Sequence, residues 1–175
     1  EKAKNYENEW TFVCLHKSPY TMEEGHKKES DNLKFLIPIF DKYGVDIVFS
    51  GHDHLYGRTY PIDSEGNIES FNKTFYGDLK HPIYIITGGG GQYIRNGTVM
   101  YYTAFLNDRE YSFVKVVVED NALYLEAFNH KNEKFDEFLL KKYSSWGFIF
   151  RRYLQEALEK ELINKFKNYN FVRAI

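Results

Sequence analysis

The chain of 175 residues is 43% hydrophobic and 27% charged, with a formal net charge of -2. That balance supports a folded domain with a sizeable core and excludes a disordered chain. It gives no basic footprint for nucleic acid, so no nucleic-acid partner is expected, and no apolar run reaches the roughly 18 residues of a membrane-spanning helix.

In chain order, EKAKNYENEW reads as the tail of a charged helix running straight into a strand at 10–15. The chain is therefore expected to begin inside a domain. A loop over 17–29 leads to a helix predicted over 31–43, with Ser30 or Asp31 as N-cap and Gly44 as its stop. Pro38 should kink that helix or mark its first turns. Residues 45–50 form a continuous apolar strand, and strand, helix, strand over about 40 residues is the unit that lays two strands parallel. Residues 55–62 alternate like a strand before the turn DSEGN, and PIYIITGGGG at 82–91 is a buried strand running into four glycines. A hairpin is predicted from 112–118 and 122–129 across EDN, and HKNEK turns into a last strand at 135–140. A single helix is predicted over 146–169, with Phe150, Tyr153, Leu154 and Ala157 among its apolar face. Cys14 is the only cysteine, so no internal disulfide can form.

The chemistry concentrates at the ends of the first two strands. VCLH places His16 at the end of one, and SGHDH places His52 and His54 at the end of the other. Parallel strands bring their carboxyl ends to one sheet edge, where ligands of open α/β sheets bind. Adjacent strands lie about 4.8 Å apart, so the three imidazoles can converge to metal-ligand range. His52 and His54 are two residues apart and face the same side in extended backbone, sharing one ion or serving two. Neutral imidazole suits Zn, Fe, Ni or Cu better than Mg or Ca. The plain alternative is a set of loop histidines with hydrogen-bonded rings. His26, in TMEEGHKKE, is either part of a solvated loop or an imidazole overhanging the site, able to act on a substrate oxygen. His81 and His130 are read as structural. The run Gly88–Gly91 lacks a following GK[ST], which argues against a nucleotide P-loop and for close backbone approach to the site.

These motifs resemble a known family. VCLHKSPY is similar to the VxxH motif of the calcineurin-like metallophosphoesterases, and Gly51-His52-Asp53-His54 to their GHxH. LYGRTYPI and YIITGGGG resemble most the purple acid phosphatase branch and its bacterial relatives. The resemblance implies an α/β fold, a four-layer α-β-β-α sandwich of which this chain is the C-terminal half. It implies hydrolysis of a phosphomonoester by water activated at a two-metal centre, the ions being Fe, Zn or Mn. Carried onto this chain, His16 and His52 would bind one metal and His54 the other. His26 would contact phosphate and assist the leaving group, and Tyr56 and Arg58 would contact substrate. The usual glutamate between those two is Gly57 here. Members of this branch are often exported, which implies a periplasmic or extracellular location.

The departures are as informative. The bridging-aspartate motif GDxx[DY] and the GNH[DE] motif of the family are absent from these residues. Residues 1–142 are therefore expected to be the second half of a metallophosphoesterase domain, inactive alone and completed by an N-terminal half. A non-catalytic module that keeps the fold and binds one ion or a partner is the alternative, and two chains sharing a site a third. Residues 143–175 are expected to add an amphipathic helix that packs back on the body, or else forms a dimer or a membrane-surface contact.

Overall fold

The computed structural model describes residues 10–143. The helix expected over 146–169, and the dimer or surface contact tied to it, lie outside the described residues.

Strands β1 (Phe12–Leu15) and β2 (Ile47–Ser50) run parallel, with Phe12 opposite Ile47 and Leu15 opposite Ser50. β3 (Tyr56–Thr59) turns back antiparallel on β5 (Ile83–Thr87), which itself runs parallel to β2. With β6 (Thr103–Asn107) they form one sheet in the order β1-β2-β5-β3-β6. The second sheet has the order β4-β9-β8-β7, built from β4 (Phe75–Gly77), β7 (Ser112–Glu119), β8 (Ala122–Asn129) and β9 (Lys134–Lys141). The hairpin turn between β7 and β8 puts Asp120 at φ 46, a left-handed conformation that a short polar side chain tolerates.

Alternation along the central strands decides which layer each residue joins. Ile47, Ile83 and Ile85 face the second sheet, where Leu123, Leu125, Phe138 and Leu140 close the main core. Their neighbours Val48 and Tyr84 face the other way, onto Ile37, Phe40 and Val45. A strand buried on both faces reads as a continuous apolar run, and IVFS and IYIIT do. Each such fully buried side chain contributes about 1.5–3 kcal/mol of transfer free energy. The result is an α/β fold of two mixed sheets with few helices, and one helical layer lies outside the first sheet among the described residues.

The long helix predicted over 31–43 is replaced by two short ones. The chain forms α1 (Lys27–Asp31), a 3-10 turn at Lys34–Leu36, and α2 (Ile37–Tyr43), with no side-chain N-cap from Ser30 or Asp31. Pro38 sits in the first turn of α2, where its missing N–H costs nothing; inside a continuous helix its ring would collide with the preceding turn. Gly44 closes α2 in the left-handed conformation at φ 62. Two strands, β4 and β6, lie where none was predicted. β4 is only three residues long and pairs with β9, distant in sequence.

Candidate metal centre

The parallel register of β1 and β2 brings His16 and Gly51 side by side, and the Gly51 N–H donates to the His16 carbonyl at 3.1 Å. His52 then takes a left-handed backbone, φ 64, which turns its ring back towards His16. His16 Nε2 and His52 Nδ1 end 3.3 Å apart. Two nitrogens bound tetrahedrally to one zinc-sized ion at about 2.0–2.1 Å lie about 3.3 Å from each other, so this pair has the spacing of two ligands of one ion. The other ring nitrogen of His52, Nε2, is 2.7 Å from Glu29 Oε2. A carboxylate there holds the proton on Nε2 and leaves the Nδ1 lone pair for a metal. Lys17, and after it His52, hold the Glu29 carboxyl below its usual range, so it remains an acceptor.

His54 is placed differently. Its ring meets Tyr93 edge-on at 5.4 Å, its backbone N–H donates to Glu23 Oε1 at 2.7 Å, and its buried Nδ1 makes no hydrogen bond among the described residues. A buried imidazole nitrogen in that state fits a cation better than solvent-free packing. The donor set, all imidazole with carboxylates in outer positions, suits zinc or iron chemistry.

His26 is gripped rather than free. Its Nδ1 lies 2.7 Å from Asp53 Oδ1, and its ring packs against that of His52 at 4.2 Å between centroids, tilted by 35°. Asp53 is itself buried, and its other oxygen accepts from the Thr21 hydroxyl at 2.6 Å and the Met22 N–H at 3.0 Å. The loop is tied down further by Tyr102, whose hydroxyl donates to the Thr21 carbonyl. Burial pushes the Tyr102 phenol well above its ordinary range, which keeps it a donor. Glu23, His26 and Asp53 could present ligand atoms within 4.8 Å of one another. Their oxygens are already engaged by His54, Arg95, Thr21 and Met22, so this cluster serves to hold His26 in place.

Tyr56 and Arg58 are not at the site opening, where substrate contact would require them. Both are fully buried between the sheets. Arg58 grips Asp136 with two bonds of 2.7 Å and also donates to Tyr76 and to the Lys73 carbonyl, while the Tyr56 hydroxyl donates to Asp136 at 2.7 Å. Their two-residue spacing on β3 points both at the second sheet. Gly57, between them, points the other way and accommodates Met22, whose Sδ would lie 2.5 Å from any Cβ added there. The glycine thus lets the His26 loop press flat on β3. Of the four glycines, Gly88 makes the close approach: a Cβ on it would meet the Asp53 carbonyl oxygen at 2.1 Å. His81 pairs with Asp41, and His130 donates its N–H to the Tyr111 carbonyl, both away from the cluster.

Asp53, Glu29, Glu23 and Arg95 join the site without having been singled out. Asp53 stood in the sequence at the variable position of GHxH. Glu29 lies three residues beyond His26, one helical turn, which was the available signal.

The profile of the calcineurin-like phosphoesterase family matches residues 1–56. Purple acid phosphatase 1 of Ipomoea batatas is 37% identical over 52% of this chain and 20% of its own length. Purple acid phosphatase 19 of Arabidopsis thaliana is 31% identical over 79% of this chain and 37% of its own. In structure, a purple acid phosphatase from yellow lupin (Lupinus luteus) seeds superposes with a TM-score of 0.67 at 25% identity, covering 76% of this chain and 25% of that one. With the fold and the histidine edge, these matches place the chain in the calcineurin-like metallophosphoesterase superfamily. Within it the chain lies on the purple acid phosphatase-like branch, whose members use divalent or trivalent metal ions to hydrolyse phosphoesters. The chain spans about a fifth to just over a third of those relatives' length.

Proposed function

We propose that this chain supplies the second-half histidine ligands of a metal-dependent phosphomonoesterase. The observation that carries the reading is the His16–His52 pair at 3.3 Å, with Glu29 behind His52. His16 and His52 would hold one ion and His54 the second, with iron, zinc or manganese as candidates. When bound, the ions supply Lewis-acid activation of water and charge neutralisation of the phosphate. The chain's own residues do the rest. Asp53 sets the ring of His26, Glu29 sets the tautomer of His52, and His26 faces the substrate oxygens and the leaving group. Carboxylate ligands for such a centre would come from a complementary half of the domain, and these residues alone would turn over nothing.

The names of relatives support a phosphoester substrate for this reading. Several are named purple acid phosphatases; one, from Hordeum vulgare, is named a nucleotide pyrophosphatase/phosphodiesterase. A second reading, a non-catalytic module that keeps the metal edge, draws on two Arabidopsis thaliana relatives named probable inactive purple acid phosphatases.

Zinc titration of the full chain by calorimetry tests the proposal. His52→Ala should abolish measurable zinc binding, and Glu29→Gln should weaken it about 10- to 100-fold, the usual cost of losing an outer carboxylate. Zinc binding that ignores both changes sinks the assignment. Phosphatase turnover on adding the complementary half separates the enzyme from the non-catalytic module.

A further inference from the structure

Arg95 stands beside the histidine edge with a role that no motif assigns. It lies in QYIRNGT, the segment after the glycines of β5. That segment is strapped down on both sides of the arginine. The Arg95 N–H donates to the His54 carbonyl at 3.0 Å, and the Thr98 N–H donates to the Met22 carbonyl at 2.7 Å. The backbone that carries the guanidinium is thus tied to the GHDH turn and to the His26 loop at once.

The side chain reaches over the space in front of His26. Nη1 lies 3.3 Å from His26 Nε2 and 3.4 Å from Glu23 Oε2, and Nη2 donates to the Tyr93 hydroxyl at 2.8 Å. The guanidinium carbon sits 5.1 Å from the centre of the Tyr93 ring, whose other neighbour is His54. Tyr93 therefore props the cation between the two histidines.

Comparison with Arg58 shows what is unusual here. Arg58 is sealed, with two 2.7 Å bonds to one carboxylate. The side chain of Arg95 is 37% exposed, and its contacts to Glu23 and His26 are long for charge-assisted bonds, which run at about 2.7–2.9 Å. Glu23, moreover, has its other oxygen committed to the His54 N–H. A guanidinium carries five N–H donors in a fixed fork that matches phosphate oxygens, and it keeps its charge at any working pH. Arg95 has donors to give and a position from which to give them.

We propose that Arg95 binds the anionic group of the substrate, a phosphate-class oxyanion seated in front of His26. This rests on the phosphoesterase reading of the same edge and adds to it the residue that recognises the anion. The bound oxyanion takes up Nη1 in place of the long contacts to Glu23 and His26, while the Tyr93 prop and the backbone tie to His54 remain.

The test is calorimetric titration of inorganic phosphate into the full chain, with and without zinc, for the wild type, Arg95→Met and Arg95→Lys. Arg95→Met should weaken phosphate about tenfold or more, the scale of a hydrogen bond to a charged group, and Arg95→Lys by less. Zinc affinity and melting temperature should stay with the wild type in both variants. Equal phosphate affinity in Arg95→Met overturns the proposal, as does a wild type that binds no phosphate, or a loss of zinc in step with phosphate. The zinc arm reads the underlying function separately. A wild type that takes no zinc through His16 and His52 removes the metal centre, while the phosphate arm without zinc still decides Arg95.

Discussion

Two polar regions of this molecule are built on opposite terms. At the carboxyl ends of β1 and β2, imidazoles stand partly exposed, with a buried His54 nitrogen that has no partner among the described residues and a 3.3 Å gap between ligand-type nitrogens. In mid-strand on β3, Arg58 is wholly buried and held by two 2.7 Å bonds to Asp136. Burial lowers the Arg58 pKa and Asp136 raises it by more, so the guanidinium is firmly charged; burial also pushes the Tyr76 phenol up to about 12. The two regions lie in one sheet. Strand ends leave lone pairs for a ligand, whereas the middle of a strand facing another sheet must satisfy every polar atom from within.

The largest effect is expected from the sealed region. Arg58→Met leaves Asp136 charged and buried with the Tyr56 hydroxyl as its remaining close donor. Breaking a buried pair on one side costs about 3–5 kcal/mol, and urea unfolding should show a loss of that size. Removing both charges, Arg58→Met with Asp136→Leu, should recover part of it, because the uncompensated charge is gone. Zinc affinity of the folded fraction should be unchanged in either variant. A loss of zinc binding would mean that the two regions are coupled and the contrast between them false.

Gly88→Ala strikes the point where β5 touches the histidine edge. The added carbon would meet a backbone oxygen, that of Asp53, at 2.1 Å, and backbone cannot step aside as a flexible side chain can. Overpacking of this kind costs about 1–3 kcal/mol. Because Asp53 lies between His52 and His54, zinc affinity should fall together with stability, in contrast to the Arg58 variants. Stability lost with zinc affinity intact would show that the turn relaxes without moving its histidines.

The comparison also explains what could be read in advance. β2 is legible as a buried apolar run stopped at Gly51 and β1 as an apolar stretch, half-exposed in the fold, that ends at His16, and their parallel pairing follows from the strand-helix-strand order. The helix is shorter than its apolar pattern suggests, because that pattern continues across Pro38 while the ring breaks the backbone ladder there. The family resemblance, through a Tyr-x-Arg after GHxH, implies substrate contact for Tyr56 and Arg58. Period-two alternation sends them to the opposite side, and only the position of Asp136, 78 residues beyond Arg58, shows why. Arg95 reaches His26 across 69 residues, a contact set by packing that no local pattern carries.

The smallest effect sharpens the contrast at a third polar point, between the two extremes. Asp46, just before β2, accepts from the Thr11 N–H at 2.7 Å and pairs with Lys142 at 2.8 Å, beside the Trp10 ring. Burial raises its pKa, and Lys142 and Thr11 only partly offset the rise. A carboxyl whose folded pKa is raised stabilises the fold fully below its unfolded value, about 3.9, and loses that contribution as pH climbs through the folded value. Ionised Asp46 is therefore a net cost near neutrality. Asp46→Asn keeps an acceptor for Thr11 and removes the charge, and Lys142 retains the Trp10 ring. At pH 7 the variant should be the more stable by urea unfolding, within about 1 kcal/mol, and the gap should close as pH falls towards 4. A variant weaker at pH 7 would show that the Lys142 pair outweighs burial, and would move Asp46 to the sealed side of the comparison, beside Arg58 and Asp136.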